Sequence, residues 1–258
     1  MKKTEDRKDR LIEYLEHKGK LSVSEVAEFF KISLPTARRL CAQLEKEHLV
    51  MRTHGGIRFV PPIKTTYTFD AFDAEYYAEK DIIAKYAAEL VKNSQIIFLE
   101  SGTTVKHFAA ALAERIRGGQ LSDISVFTNS LVNLDILESV CNVTVVGGLY
   151  RHERRDFCGF LCEKMIRTLR FNACFLGADA LDLNEGIMAM DIETVRLDEL
   201  LIERSDQPII LAHSEKFHKH SLISYCSVHD VSTIVTDSNL PAAIRQGYQS
   251  AGINLICV

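Results

Sequence analysis

Five consecutive residues, Glu100-Ser101-Gly102-Thr103-Thr104, offer the groups that bind a phosphorylated small molecule. They follow an apolar run that predicts a strand and precede a helical pattern, so they form a strand-to-helix turn. Gly102 allows close backbone approach, the hydroxyls donate hydrogen bonds, and the helix start carries partial positive charge that suits an anion. Glu100 is placed to bind sugar hydroxyls at the carboxyl end of the strand. An ordinary capped turn is the alternative.

Further polar groups follow other predicted strands. The carboxyl ends of neighbouring parallel strands meet at one sheet edge, so these groups can line the same pocket. Lys216 is the predicted charged partner of a phosphate dianion, and Asn129 is a predicted partner of sugar hydroxyls. Each segment also fits an ordinary loop. The added candidates for effector binding are Thr128, Asn129, Gly147, Gly148, Arg151 and Lys216.

We expect no metal, cofactor or catalytic residue. The spacing of His213, His218 and His220 fits no helix face, and a polar loop is favoured over a metal site. The seven cysteines are an odd number without a Cys-x-x-Cys pair. Cys158 and Cys162 are predicted to share a helix, but no further His or Cys cluster completes a zinc site. The expectation is reduced thiols in a cytoplasmic protein.

The second half of the chain alternates short apolar runs with helical patterns. Continuous apolar strands separated by helices predict an α/β domain with a mostly parallel, helix-covered sheet. The predicted strands are Gln95–Leu99, Ile124–Thr128, Asn142–Val146, Ala173–Leu176, Pro208–Ala212, Thr233–Thr236 and Asn254–Val258. The predicted helices are Asp73–Val91, Val105–Ile116, Leu131–Ser139, Cys158–Leu169, Ile192–Arg204 and Pro241–Gln249.

The segment 33–59 has a different pattern. Four apolar residues recur at i, i+3, i+4 and i+7 and so form one face of a helix. Ser33 is its predicted N-cap, and Pro35 lies in the first turn, where a missing N–H costs nothing. Residues 49–52 and 57–59 then predict a short hairpin, with His54-Gly55-Gly56 at its turn. The four apolar positions are Ala37, Leu40, Cys41 and Leu44.

A basic-faced helix followed at once by a basic hairpin is typical of a winged helix-turn-helix, with an amphipathic surface helix as the alternative. Arg39, opposite the apolar face, can pair bidentately with guanine and is predicted to read the major groove with help from three neighbours. Four residues at the helix end and in the hairpin are predicted to contact phosphates. The DNA-binding candidates are Ser33, Pro35, Thr36, Arg38, Arg39, Gln43, Lys46, Arg52, His54 and Arg58.

Two further helices complete this module. Residues 7–17 predict the first, and Ser22 with Glu25 predicts a capping box at the start of the second. Lys31-Ile32 is the predicted turn into the basic helix. Pro61-Pro62 ends the module, which gives a DNA-binding domain at 1–60, a linker at 61–72 and a second domain at 73–258.

Charge is distributed unevenly along the 258 residues. Residues 1–60 carry 13 Lys and Arg against 9 Asp and Glu, whereas the remainder carries 18 against 26. A basic N-terminal segment followed by an acidic remainder favours a nucleic-acid contact confined to the N-terminal segment. No run of 18 apolar residues occurs, and the first ten residues have no apolar core for a signal peptide. We therefore expect a cytoplasmic protein without membrane contact.

These residues resemble the DeoR family of bacterial transcription regulators over nearly the whole chain. The resemblance implies a second domain related to ribose-5-phosphate isomerases and CoA transferases, with a phosphorylated sugar as effector. Three places depart from the family pattern: Leu40-Cys41, His213 and Asp198. The matching residues are Ser33, Thr36, Arg38-Arg39, Leu44-Glu45, Leu49, Arg52, His54-Gly55-Gly56, Gly102-Thr103-Thr104, Thr128-Asn129, Gly147-Gly148, Phe171, Phe175-Leu176-Gly177, Gly186 and Lys216-Phe217.

The leading hypothesis is therefore a transcription regulator, a repressor, that binds a double-stranded DNA operator and senses a phosphorylated sugar or related metabolite. It predicts a homodimer or homotetramer, because helix-turn-helix proteins bind paired half-sites. One alternative is a sugar-phosphate isomerase-like enzyme with an appended DNA-binding module, since Gly177-Ala178-Asp179 resembles part of an isomerase motif. The loop 184–188 lacks the lysine and glycine run which that enzyme needs. Another alternative is a DNA-binding protein whose second domain only oligomerises.

Overall fold

The computed structural model describes Leu11, Tyr14, Leu15 and residues 18–46, 50–53, 55–59 and 67–258. The chain forms two compact units, a small one in the N-terminal segment and a larger one built mainly from Tyr67–Phe217 and Ile223–Val258. The domain boundaries predicted from the sequence stay predictions. Residues 61–66 of the predicted linker, and most of the predicted first helix, lie outside the described residues.

The small unit has the arrangement of a winged helix-turn-helix. Strand β1 (Lys20–Ser22) leads into helix α1 (Val23–Phe30), and helix α2 (Leu34–Lys46) precedes the hairpin β2 (Val50–Thr53) and β3 (Gly56–Phe59). The three strands form one antiparallel sheet in the order β1-β3-β2. Its core contains Leu11, Leu15, Leu21, Val26, Ala37, Leu40, Cys41, Leu44, Val50 and Ile57.

Local chemistry fixes the ends of these elements. The Ser22 hydroxyl accepts the Glu25 N–H at 3.1 Å, and the Glu25 carboxylate accepts the Ser22 N–H at 2.7 Å. This reciprocal pair is the predicted capping box, and it lowers the pKa of Glu25 to about 2. Lys31 ends α1 in the left-handed conformation, with φ of 51°. Gly55 supplies the positive φ, 88°, of the hairpin turn.

The larger unit is built on a seven-stranded sheet whose strands all run parallel. Its order is β15-β14-β12-β9-β4-β5-β6, so β4, the first strand of this unit, lies in the interior of the sheet. All seven strands predicted from apolar runs are present. Their bounds are β4 (Ile96–Leu99), β5 (Ser125–Thr128), β6 (Asn142–Val145), β9 (Phe171–Leu176), β12 (Ser205–Leu211), β14 (Thr233–Thr236) and β15 (Leu255–Cys257).

Helices cover the sheet, and two separate apolar cores lie between helices and strands. One core joins the strands to the first large helices, and the other joins them to the last three. No helix in the described part of the chain has the length and apolar composition needed to cross a membrane. The helices are α3 (Phe69–Ala74), α4 (Tyr77–Glu89), α5 (Thr103–Arg117), α6 (Leu131–Leu137), α7 (Phe160–Ile166), α8 (Ile192–Glu203) and α9 (Ala242–Ser250).

Some predicted elements differ from the structure. Cys158 and Cys162 do not share a helix, because Gly159, with φ of 84°, separates a strand from α7. The helix predicted from residue 73 is interrupted at Tyr76, which has φ of 53°. Helix α3 starts inside the predicted linker, since Phe69 is buried and its N–H donates to the Glu153 carbonyl.

Five short strands outside the parallel sheet were not predicted, because they lack continuous apolar runs. Two of them form an antiparallel hairpin, and the other three form a small antiparallel sheet in the order β10-β11-β13. These strands are β7 (Leu149–Arg151), β8 (Asp156–Cys158), β10 (Ala180–Asp182), β11 (Gly186–Ala189) and β13 (Ile223–Cys226).

The capping box yields a prediction for the small unit. Replacing Ser22→Ala leaves the Glu25 N–H without its cap and should lower the free energy of opening of α1 by about 1 kcal/mol. Ser33→Ala is the matched control, since the Ser33 hydroxyl lies 2.9 Å from the Thr36 hydroxyl instead of a backbone N–H. Hydrogen exchange of the α1 amides should accelerate about fivefold in Ser22→Ala alone. Equal acceleration in both variants would contradict the assignment.

Candidate functional site

Helix α2 has one buried and one exposed face. Ala37, Leu40, Cys41 and Leu44 are buried, as the apolar spacing predicts. The exposed side presents two guanidinium groups and an amide, which are donors and acceptors suited to base edges and phosphates. On this side Ser33, Pro35, Arg38, Arg39 and Gln43 are exposed and Thr36 is half-buried.

The remaining DNA-binding candidates follow this helix. Lys46 is the last residue of α2, and Arg52 and Arg58 lie on the two strands of the hairpin. The backbone positions of Arg52 and Arg58 place them in the hairpin, which is the wing of the module. His54 lies outside the described residues. The described DNA-binding candidates therefore lie on α2, directly before it, or on the hairpin.

In the larger unit, the strand order creates a switch point between β4 and β9. After β4 the chain adds β5 and β6 on one side, and then returns to add β9 and its neighbours on the other. The loops after β4 and β9 meet there, because a Cβ on Gly102 would lie 3.7 Å from the Gly177 Cα. Ligands of open parallel sheets bind in such a crevice.

The Glu100 carboxylate holds the turn that borders this crevice. Its Oε2 accepts the Gly102 N–H at 2.7 Å, and its Oε1 lies 3.0 Å from the Ser101 hydroxyl. The carboxyl is buried, and this burial raises its pKa. A Cβ on Gly102 would come within 2.9 Å of Glu100 Oε2, so a larger residue there would displace this carboxylate. Helix α5 starts next, with Thr103 half-buried and Thr104 buried.

A buried ion pair supports the same turn. The Asp156 carboxylate is fully buried and accepts two hydrogen bonds from Arg151, at 2.8 and 2.7 Å. Its Oδ2 also lies 2.6 Å from the Ser101 hydroxyl. Arg151 donates further to Asp191 and to the Thr194 hydroxyl. Arg151, predicted as an effector contact, is thus held by carboxylates beneath the turn.

Polar groups after β5 and β6 have distinct roles. Thr128 donates to the Leu99 carbonyl at 2.7 Å and so links two strand ends. Asn129 is fully buried and donates to the Phe157 carbonyl at 3.0 Å, whereas its Oδ1 has no hydrogen-bond partner within the described residues. A Cβ on Gly148 would clash with the Cys158 carbonyl, so this glycine serves packing. Gly147 has open space beside it.

Lys216 lies in a short 3₁₀ turn, Ser214–Lys216, after β12. Its Nζ is 3.9 Å from Asp179 Oδ1, and Asp179 follows β9. The other oxygen of Asp179 accepts the Met190 N–H at 2.9 Å. Lys216 therefore reaches the loop after β9, one side of the switch point.

Lys80 is a charged residue that the sequence analysis missed. Its side chain is only 3% exposed, and its Nζ donates to the Phe72 carbonyl. Burial lowers its pKa to about 8, Asp73 opposes this shift, and the positive charge of Lys216 adds to it. The signal was present in the sequence, because Lys80 precedes buried Ile83 by three residues and so falls on the buried face of α4.

The histidines singled out by the sequence are not grouped with metal ligands. His213 is buried, and its ring stacks on Tyr76 with centroids 4.2 Å apart. Among the described residues, no group of three or more His, Cys, Asp or Glu side chains could hold a metal ion.

Two family models match this chain. One, described as a DeoR-like helix-turn-helix domain, matches residues 7–62. The other, described as a DeoR C terminal sensor domain, matches residues 75–238.

Curated relatives are similar over nearly their full lengths. The uncharacterized HTH-type transcriptional regulator YulB of Bacillus subtilis is 30% identical, covering 93% of this chain and 92% of that protein. The transcriptional repressor AccR of Agrobacterium fabrum is 31% identical, covering 94% and 93%. The glycerol-3-phosphate regulon repressor of Escherichia coli is 26% identical, covering 95% of each.

Solved structures match part of the chain. A ribose-5-phosphate isomerase in complex with phospho-erythronic acid matches with a TM-score of 0.41 and 20% identity, over 54% of this chain and 52% of that one. The eIF2B delta subunit of Chaetomium thermophilum matches with a TM-score of 0.45 and 12% identity, over 64% and 57%.

The buried ion pair yields a stability prediction. Arg151→Ala leaves the Asp156 carboxylate buried without its partner and should cost about 3–5 kcal/mol of unfolding free energy. Arg155→Ala is the control, because its pair with Asp70 at 3.4 Å is exposed and should contribute about 0–1 kcal/mol. Urea unfolding, with hydrogen exchange in β4 identifying the transition of the larger unit, measures both. Similar losses in the two variants would contradict the role assigned to Arg151.

Proposed function

The chain belongs to the DeoR family of transcriptional regulators. We propose that it is a repressor whose binding to its DNA operator is controlled by a phosphorylated sugar or related metabolite. It has a DNA-binding helix-turn-helix and a sensor domain. The observation that carries the effector proposal is a helix N-terminus at the sheet's switch point, with Lys216 reaching Asp179 in the adjoining loop after β9. The charge of Lys216 also acts on Lys80. A relative's name, glycerol-3-phosphate regulon repressor, supports a phosphorylated ligand.

The proposed DNA contact is made by the exposed face of α2. Arg39 reads a guanine, with Arg38, Thr36 and Gln43 beside it, because their side chains lie opposite the buried face. Ser33 and Pro35 approach the backbone at the helix start. Lys46, Arg52, His54 and Arg58 contact phosphates, which fix the position of the module without reading sequence. The operator is double-stranded DNA.

The proposed phosphate site is the turn Gly102–Thr104. The N-cap of helix α5 is Gly102, and no side chain accepts a capping hydrogen bond there. The first N–H groups of the helix and the two threonine hydroxyls can therefore donate to phosphate oxygens. Lys216 supplies charge from the loop after β12, and Lys80 supplies a second charge from α4. Burial lowers the pKa of Lys80 and the charge of Lys216 lowers it further, and a bound dianion offsets both effects.

The sugar part of the effector is proposed to lie toward β5. The unpaired Oδ1 of Asn129 accepts a hydroxyl donor there, and Gly147 leaves space for the ligand. Glu100 and Ser101 hold the turn, and Arg151 acts through Asp156 below it. The effector is therefore recognised by donors at its phosphate and by an amide at its hydroxyls.

We propose that the sensor domain carries out no catalysis. Asp179, the residue of the enzyme alternative, is engaged by Met190 and faces Lys216, so it is poorly placed to take a proton from a substrate. Incubation of the protein with ribose 5-phosphate, followed by an assay for the ketose, checks this directly. Turnover that disappears in Asp179→Asn would support the enzyme. Binding of a sugar phosphate without turnover would support a sensor domain over a domain that only oligomerises.

The first functional prediction concerns sequence reading. Arg39→Ala should reduce discrimination between operator and random DNA by about 5- to 150-fold, because a bidentate arginine–guanine pair contributes about 1–3 kcal/mol. Arg52→Ala is the comparison variant, and it should weaken binding to both DNAs and reduce the salt dependence. Fluorescence anisotropy titrations at several salt concentrations measure both quantities. Unchanged discrimination in Arg39→Ala would refute its role.

The second prediction concerns the phosphate site. Thermal-shift screening with phosphorylated sugars and inorganic phosphate identifies a ligand, and calorimetry then compares variants. Lys216→Ala and Lys80→Met should each weaken binding about tenfold or more, since charged hydrogen bonds contribute about 1.5–3 kcal/mol. Lys85→Met is the control, because Lys85 lies on the same helix but is 64% exposed. Wild-type affinity in both Lys216→Ala and Lys80→Met would show that the phosphate binds at another site.

The pH dependence gives an independent check of Lys80. A bound dianion favours protonated Lys80, so the pKa near 8 rises on binding and a proton is taken up. Ligand affinity should therefore fall as pH increases above about 8 in the wild type. This loss should be absent in Lys80→Met. Calorimetry in two buffers with different ionisation enthalpies counts the protons, and equal uptake in both proteins would contradict the proposal.

A further inference from the structure

Helix α3 places a carboxylate among basic side chains next to the turn Gly102–Thr104. Asp73 Oδ2 lies 2.8 Å from the Nζ of Lys106, a residue in the first turn of α5. Asp73 Oδ1 lies 3.5 Å from Nε2 of the buried His107. The carbonyl of the preceding residue, Phe72, accepts a hydrogen bond from Lys80. Two adjacent residues of α3 therefore engage two lysines and a histidine.

Lys106 lies close to the N-cap of α5. Its N–H donates to the Gly102 carbonyl at 2.9 Å, one helical turn earlier. Side chains of a helix lean toward its N-terminus, so the Lys106 amine can reach the turn. Burial is the main cause of the lowered pKa of Lys80, Asp73 opposes it, and the charges of Lys216 and Lys106 add to it. The three ammonium groups therefore lie within electrostatic reach of one another.

The contacts of Asp73 are incomplete. Within the described residues, its buried Oδ1 and the buried Nε2 of His107 both lack a hydrogen-bond partner, which destabilises this arrangement. The side chains of Asp73 and Lys106 are 22% and 25% exposed, so a solute can reach this pair. Lys80 is only 3% exposed. A ligand therefore contacts the Lys80 amine only when the chain that covers it moves.

The fold allows this movement because α3 is short. It has six residues, Phe69–Ala74, which is fewer than two helical turns. The buried Phe69 side chain holds its start, and the Tyr76 ring, stacked on His213, holds the chain after its end. A short helix between two such contacts can open locally at a small free-energy cost while its ends stay in place.

We propose that Lys106 is a further phosphate-binding residue, and that a phosphate replaces Asp73 and the Phe72 carbonyl as the partner of Lys106 and Lys80. The inference rests on the phosphate site proposed above. A phosphate monoester carries more negative charge than a carboxylate and has three terminal oxygens, so it satisfies both amines at once. Asp73 is then an internal competitor that occupies the lysines until a phosphate binds.

Calorimetry with inorganic phosphate on the full chain tests both roles. Lys106→Met should weaken binding about tenfold or more, the effect of losing one charged hydrogen bond. Asp73→Asn should strengthen binding about fivefold, because the competitor loses its charge. Lys85→Met and Asp70→Asn are the controls and should keep the parent affinity, since these side chains are 64% and 77% exposed. Unchanged or weaker binding in Asp73→Asn would overturn the competition.

A double variant separates a direct contact of Lys106 from its hold on α3. Lys106→Met alone also releases the Asp73 carboxylate, which then repels the phosphate. When Lys106→Met is added to Asp73→Asn, binding should still weaken about tenfold, because the contact to phosphate is lost. A lysine that only anchors α3 has no effect in that background. Equal affinity of Asp73→Asn and the double variant would therefore overturn the assignment of Lys106.

Hydrogen exchange on the unmodified chain covers the case in which a variant does not fold. Inorganic phosphate should accelerate exchange of the Phe72–Ala74 amides, because α3 loses its contacts to the two lysines. The same addition should slow exchange of the first amides of α5, where the phosphate binds. Slower or unchanged exchange in α3, together with protection in α5, would overturn the displacement of Asp73.

The outcomes distinguish this inference from the proposed function. Phosphate binding that is lost in Lys216→Ala but unaffected in Lys106→Met and Asp73→Asn overturns the inference alone. The expected affinities in a protein that does not bind double-stranded DNA refute the repressor function alone. Absence of phosphate binding in both the parent and Asp73→Asn overturns the inference together with the phosphate site.

Discussion

The fully buried carboxylate of Asp156 determines the geometry of the sensor domain's ligand edge. A buried charge is tolerated only when its attraction to a partner and its hydrogen bonds offset the lost hydration. Arg151 provides two bonds, and Ser101 adds a hydroxyl contact. Through these partners the ion pair links the β7–β8 hairpin, the start of α8 and the turn after β4. The ligand turn is therefore fixed by residues that do not touch the proposed ligand.

The proposed anion site relies on backbone N–H groups of the turn as well as on lysine side chains. The turn gives directed N–H groups, held rigid by Glu100 beneath Gly102. Lys80 is buried, and burial disfavours its charged form and lowers its pKa to about 8. In the proposed site, a phosphate gains more from this buried lysine than it does from an exposed one.

Much of the fold was predictable because it depends on local pattern. The seven parallel strands are continuous apolar runs, since both faces of the sheet are covered by helices. The capping box of Ser22 and Glu25 and the buried face of α2 follow from residue spacing alone. Short strands such as β7 and β8 were missed, because three residues leave little periodicity. Cys158 was assigned to a helix for the same reason.

The sequence by itself determined the module order, the basic helix face and the Gly102–Thr104 turn, because capping, periodicity and glycine placement act within a few residues. The tertiary structure alone decided what the charged residues do. Arg151 donates hydrogen bonds to the buried Asp156 carboxylate, and Lys80 is buried on the inner face of α4. Pairing of charges depends on residues far apart in sequence that meet only when strands and loops pack. Burial and the neighbouring charges then set the energy of each charge. Helical spacing indicates that Lys80 is buried, but no local pattern indicates which charges lie beside it.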